Sequence, residues 1–202
     1  MNNTFFKTLN ISKASFDPEI TLRHSKADSG GMRDYNFLMY LIDNKLLRIR
    51  QCYMKRTNIG AGEEYFMLKY KKFNYESDRH FLCRAAIQDE IVKMGFAFLT
   101  NIEKGDLNIL RSTANYDIVT ADSSTIIDIG LTPARNYFKG LTDLKIQGYL
   151  YTPFFDDYMD DILFTVFTRG NDKDFLDAVA EYEERYKTVP TLQSEQYMEL
   201  DN

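Results

Sequence analysis

Two aspartates offer this chain its clearest chemistry. Asp117 and Asp128 stand within residues 115–131, which read NYDIVTADSSTIIDIGL. Two short β-type runs, YDIV and TIIDIGL, flank the polar turn TADSS. If the chain folds back about Asp122 and Ser123, cross-strand partners sum to 245, and 117 plus 128 is 245. The two carboxylates then face each other with Cβ atoms ~5 Å apart, where like charges are destabilising. A fold keeps such a pair when a cation, a shared proton or a nearby base offsets the repulsion. A slip of one residue would send the acids to opposite faces, so the reading depends on register.

The elements that must position these acids follow from pattern. Residues 1–33 form an arm with one short strand, ITLRHS. The apolar run 34–44 suits a buried strand or a short helix. Residues 45–56 (KLLRIRQCYMKR) and 64–73 (EYFMLKYKKF) alternate and are joined by the turn TNIGAGEE, which predicts a β-hairpin. Ser77 is a helix N-cap with Asp78 in the first turn, Ile87, Ile91 and Met94 follow at helical spacing, and Gly95 stops the helix. FAFLT (96–100) reads as a strand, and LNILR (107–111) follows a turn around Gly105. Beyond the acidic hairpin, Thr132 and Pro133 open a helix over 134–144. QGYLYT and ILFTVFT then read as strands, and a last helix covers 172–187. The expected organisation is an arm and β-hairpin extension (1–76), an α/β core (77–188) and a polar tail (189–202).

Composition narrows the function classes. The 202 residues are 44% hydrophobic and 27% charged, as in a globular domain, and no apolar run nears the ~20 residues that span a bilayer. The first residues lack the apolar block of a signal peptide, and Cys52 and Cys83 form no metal-ligand spacing, which suits a reduced, cytoplasmic protein. There is no G-x-S-x-G, no P-loop and no G-x-G-x-x-G. The net charge of −5 is uneven: residues 1–80 hold 14 Lys+Arg against 9 Asp+Glu, and residues 81–202 hold 11 against 21. A basic footprint for nucleic acid is therefore confined to the N-terminal part, at Arg48, Arg50, Lys55, Arg56, Lys69 and Lys71. The plainer reading makes these the wet faces of amphipathic strands. His80, on the first turn of its helix, reads as a capping or core residue. The acid pairs 156–157 and 160–161 read as a solvated loop.

Over roughly residues 77–168 the order of elements resembles the αβββαβ core of the PD-(D/E)XK nuclease-like superfamily, a restriction-endonuclease-like fold. The matching residues are Glu90 in the helix RHFLCRAAIQDEIVKMGF, Asp117 in YDIV and Asp128 in IIDIG. The resemblance implies a metal-dependent nuclease in which Asp117 and Asp128 hold Mg²⁺ and Glu90 assists through a water. The family's lysine falls at Gly130, so the basic role would pass to Arg135 or Lys139, spaced i and i+4 on the next helix. Three converging carboxylates suit a hard ion that takes oxygen ligands. Asp89 is expected to pair with Lys93 at i+4.

Gly130 and the net charge support a different class, a non-enzymatic inhibitor or regulator that binds a protein partner on the same scaffold, such as a counter-defence protein of a mobile element. A homodimer is also compatible, because the aromatic strand ILFTVFT would seek cover if exposed.

Overall fold

The computed structural model describes residues 4–12, 29–100 and 116–187. The strand expected at 20–25, the segment 107–111 and the tail 189–202 lie outside the described residues. The elements in chain order are α1 (Phe5–Thr8), β1 (Ile11–Ser12), α2 (Ser29–Asp43), β2 (Leu47–Lys55), α3 (Glu63–Met67) and α4 (Asp78–Lys93). They continue with β3 (Phe98–Thr100), β4 (Ile118–Thr120), β5 (Thr125–Ile129), α5 (Ala134–Lys139), a 3₁₀ turn (Gly140–Thr142), β6 (Gly148–Thr152), β7 (Asp161–Arg169) and α6 (Asp172–Lys187).

The strands form one seven-stranded mixed sheet in the order β1-β2-β7-β6-β5-β4-β3. Among the described residues, only β5 and β6 run parallel, joined by the crossover through α5; every other neighbouring pair is antiparallel. Parallel neighbours need such a crossover, whereas β4 and β5 need only a tight turn. One apolar cluster lies between the sheet and α2, α5 and α6, around Leu38, Tyr137, Tyr149 and Phe167. A second lies on the opposite face beneath α4, around Ile87, Ile127, Leu150 and Phe164. The molecule is thus a three-layer α/β/α arrangement with mostly apolar strands at its centre.

The structure decides one open expectation and changes two. Of the two readings of the run 34–44, the helical one holds: it belongs to α2, because Tyr35, Leu38 and Leu41 recur at helical spacing and are buried while Tyr40 is half exposed. The predicted β-hairpin of 45–56 with 64–73 does not form. β2 pairs instead with β7 over nine residues, Leu47 opposite Arg169 through Lys55 opposite Asp161, and with β1 at its outer edge. Residues Glu63–Met67 are helical, and Phe66 packs with Phe81, Ala85 and Ala86 of α4. β7 matches β2 in length and offers Phe164 and Val166 to the core, which the lysine-rich 64–73 run does not. The helix expected over 134–144 ends at Lys139 and tightens into the 3₁₀ turn; its N-cap is Pro133 rather than Thr132.

Gly170 lies where the chain leaving β7 passes the start of β2. Its amide donates to the Leu46 carbonyl at 2.8 Å, and a Cβ there would sit 2.0 Å from the Lys45 carbonyl oxygen. The obstacle is backbone, which cannot swing aside. Gly170→Ala is expected to lower the unfolding free energy by about 1–3 kcal/mol, measured by urea denaturation.

Candidate functional site

The acidic hairpin has the register its sequence predicts. Ile118 pairs with Ile127 and Val119 with Ile126, each summing to 245. Its turn is built by Asp122, whose Oδ1 accepts from Thr120 Oγ1 at 2.6 Å and from the Ser124 amide at 2.9 Å, with Ser123 at φ 56°. Asp122 also accepts from the Phe5 amide at 2.6 Å, which docks α1 on the turn. Asp117 and Asp128 therefore meet at the open end of the hairpin. The Asp117 amide donates to Asp128 Oδ1 at 2.9 Å, and the Ile129 amide donates to Asp117 Oδ2 at 2.8 Å.

What offsets the two carboxylates is a cationic histidine. His80 Nε2 lies 3.1 Å from Asp117 Oδ1, and its Nδ1 lies 2.6 Å from Glu76 Oε1. Burial opposes the charged imidazole, but Asp117 and Glu76 outweigh it and raise the His80 pKa to about 9. The helix N-terminus also disfavours a cation, so the acids must overcome both effects. Glu76 is in turn held by Arg84, whose Nε and Nη2 each approach a Glu76 oxygen at 2.7 Å. Burial pushes the Glu76 pKa up, yet Arg84 and His80 dominate and hold it at about 2. Arg84 is fully buried against Phe73 and Phe81, donates to the Lys71 carbonyl at 2.7 Å, and donates to Gln88 at 3.0 Å. Glu76, His80, Arg84 and Gln88 thus run at successive i+4 steps on one side of α4 and its entry.

On the other side, Asp128 Oδ2 accepts from the hydroxyl of the buried Tyr149 and from Asn136 Nδ2 at 3.4 Å. Beside the pair lies a cleft of about 400 Å³ lined by His80, Asp117, Asp128, Thr132, Asn136 and Phe154, among others. Every oxygen of the acid pair has a donor from the chain. Among the described residues, no three His, Cys, Asp or Glu side chains are grouped to hold a metal ion. As arranged, the donors around the pair leave no oxygen open to Mg²⁺: an ion would have to displace the imidazolium or Tyr149, and the third acid of the cleft, Glu76, is held by His80 and Arg84.

The remaining predicted site residues lie elsewhere. Glu90 is ten residues beyond His80 on α4, about 15 Å along the axis at 1.5 Å per residue. It accepts from the Thr57 and Asn58 amides at 2.7 and 3.1 Å and anchors the chain leaving β2. Its neighbour Asp89 pairs with Lys93 at 2.8 Å as expected and also takes Lys69 at 3.1 Å. Burial works against that charge, but Lys93 and Lys69 hold Asp89 well below the usual carboxylate range. Arg135 and Lys139 line a small cleft between α5 and α6 with Tyr182 and Glu183, and Lys139 pairs with Glu183 at 3.3 Å. The α5 side chain that reaches the acids is Asn136, about 100° round the helix from Arg135.

Gly130 has a physical reason. It sits at φ +82°, and a Cβ there would fall 2.5 Å from the Phe154 ring. The space beside it is filled by an aromatic side chain from the loop after β6.

The six predicted nucleic-acid contacts do not form one stripe. Arg56 is buried, pairs with Asp157 at 2.9 Å and donates to the carbonyls of Asp156 and Asp157 at 3.1 and 3.2 Å. Lys69 is engaged with Asp89. Arg48 and Arg50 alternate with Lys55 along β2, so they lie on opposite faces of the sheet. Lys71 is exposed, in the loop before α4.

His80, Glu76, Asn136, Tyr149 and Phe154 were not singled out as site residues by sequence. The i+4 ladder of Glu76, His80 and Arg84 is the one signal that could have found the first two. Comparison with family models, with curated proteins and with solved structures finds no match to this chain.

Two consequences can be measured. The raised folded-state pKa of His80 means that its contribution is complete below about pH 6.5 and drains away as pH climbs from 6.5 to 9. The difference in unfolding free energy between the native chain and His80→Gln should shrink by on the order of 3 kcal/mol across that window. Glu76 has the opposite sign, its stabilisation being present above pH 4.5 and lost towards pH 2. Gly130→Lys should destabilise the fold by about 1–3 kcal/mol through its positive φ and the Phe154 ring, measured by thermal or urea unfolding.

Proposed function

We propose that this chain is a nuclease-like scaffold that acts by binding a protein partner rather than by cutting nucleic acid. The order and pairing of its elements support the scaffold. After α4, strands β3, β4 and β5 form an antiparallel run, and α5 crosses over to the parallel β6. Asp117 and Asp128 occupy neighbouring strands at one end of that run.

The observation that carries the binding reading is the saturation of the acid pair. His80, Asn136, Tyr149 and two backbone amides supply donors to its four oxygens. Phosphodiester cleavage on such a scaffold needs positive charge that meets the developing negative charge of the phosphate. Here the cation beside the acids is already committed to two carboxylates, and Phe154 covers the lysine position. The scattered basic residues and the net charge of −5 weigh against a phosphate backbone as the partner.

A metal-dependent nuclease is the second reading, favoured by the accessibility of the cleft. The side chains of Asp117 and His80 keep 16% and 21% of their surface exposed. An imidazole that swung outward would free one oxygen of Asp117.

Labelled single- and double-stranded DNA and RNA, incubated with Mg²⁺ or Mn²⁺ and with chelator, separate the two. No metal-dependent cleavage is expected from the native chain or from Asp117→Ala/Asp128→Ala. The melting temperature of the native chain should not rise with Mg²⁺, because an ion that binds the folded state would raise it. Cleavage that the double variant loses would establish the nuclease instead.

A further inference from the structure

Coverage of the sheet is uneven on the face that carries Leu47, Ile49 and Phe167. Helices α2, α5 and α6 bury one end of β2 and β7 there. Two pairs further along the same face, Tyr53 and Leu163 stand opposite each other, 58% and 40% exposed. This is no frayed edge, because β7 is an interior strand with β2 and β6 on either side. At the same end of the sheet, Ile59, Tyr158 and Met159 are 45%, 76% and 45% exposed.

The backbone beneath these side chains is tied down. The Arg56 amide donates to the Asp160 carbonyl at 2.8 Å and the Gly60 amide to the Asp157 carbonyl at 3.4 Å. The Arg56 guanidinium, buried under Phe155, holds the carbonyls of residues 156 and 157 from inside. A buried arginine that is spent on loop carbonyls gives the apolar residues a fixed shape to present.

We propose that this end of the sheet is a docking surface for a partner protein presenting an apolar patch ringed by lysine or arginine. Exposed apolar patches with polar rims mark interaction sites, and tyrosine and methionine are enriched in them. Charge selects the occupant. Within residues 156–161 (DDYMDD), Asp156 and Asp157 pair with Arg79 and Arg56, so the exposed acidic charge is that of Asp160 and Asp161, with Lys55 opposite Asp161. Phosphates would be repelled by that rim. A second copy docked about a two-fold axis would set the same acids against each other. The proposal shares with the binding reading above only the premise of a protein partner, and the acid cleft takes no part in it.

The test uses the full chain and a phage-displayed library of random 16-residue peptides, with recovered sequences synthesised and their affinities read by fluorescence anisotropy. Peptides that combine Lys or Arg with aromatic or aliphatic residues are expected. Their binding should weaken at least tenfold in Tyr53→Ser/Leu163→Ser, several-fold in the charge reversal Asp160→Lys/Asp161→Lys, and not at all in Lys173→Ala, an exposed position on α6. The charge reversal keeps the test decisive if the apolar variant fails to fold. Recovery of no peptide, of peptides without basic residues, or of peptides that bind these variants as well as the native chain would overturn the proposal. So would a native dimer that Tyr53→Ser/Leu163→Ser converts to monomer, which would assign the face to a second copy. Metal-dependent cleavage in the assay above would remove the binding reading and leave this test standing.

Discussion

The Asp117 amide donates to the Asp128 carboxylate and the Ile129 amide to the Asp117 carboxylate, and that arrangement leaves two carboxylates side by side at the rim of the sheet. Much of the surrounding structure follows from the need to hold them there. An imidazolium meets one acid, and a buried tyrosine and an asparagine meet the other. The imidazolium depends on a second carboxylate, Glu76, and Glu76 depends on a buried arginine. Burying one charge is costly unless it is paired and hydrogen-bonded, so the compensation propagates inward until it ends on Lys71 O and Gln88. Removing any member strands its neighbour, which makes this chain of groups a unit rather than a set of separate pairs.

The same logic of buried charge recurs on the far end of α4. Asp89 and Glu90 are both buried, and each is spent on structure: Asp89 on Lys69 and Lys93, Glu90 on the amides that follow β2. Arg56 does the corresponding work for the loop after residue 155. These three residues stitch the segment after β2 to α4 and to the start of β7. Arg56, Lys69 and Glu90, charged residues that looked available for ligands, are therefore part of the internal framework.

Several features were legible before the fold was known. The hairpin register assumed from two apolar runs about a polar turn is the one that forms, with Ile126 and Ile127 buried on opposite faces of the sheet. The span of α4 followed from Ser77 and Gly95, and the last helix expected at 172–187 is α6. The partner of β2 was not legible. Residues 64–73 alternate as a strand would, but strand pairing is a competition, and the winner lies more than a hundred residues away in β7. Local pattern carries no information about such a distant competitor.

By itself, the sequence determined the mixed α/β class, the turn at Asp122, the caps of α4 and the direct opposition of Asp117 and Asp128, since each depends on residues a few positions apart. Tertiary structure alone decided which groups answer that opposition. Glu90 was the nearest acid by motif, yet 1.5 Å of rise per residue carries it a turn-by-turn distance away from the pair. His80 reaches the acids because α4 packs across the sheet with its first turn over the hairpin's open end. Asn136 rather than Arg135 faces them because one residue of helix is a 100° rotation. Phe154 closes over Gly130 only once the parallel pairing of β5 and β6 brings the loop after β6 alongside. Such choices are made by the packing of distant segments, and spacing along the chain does not encode them.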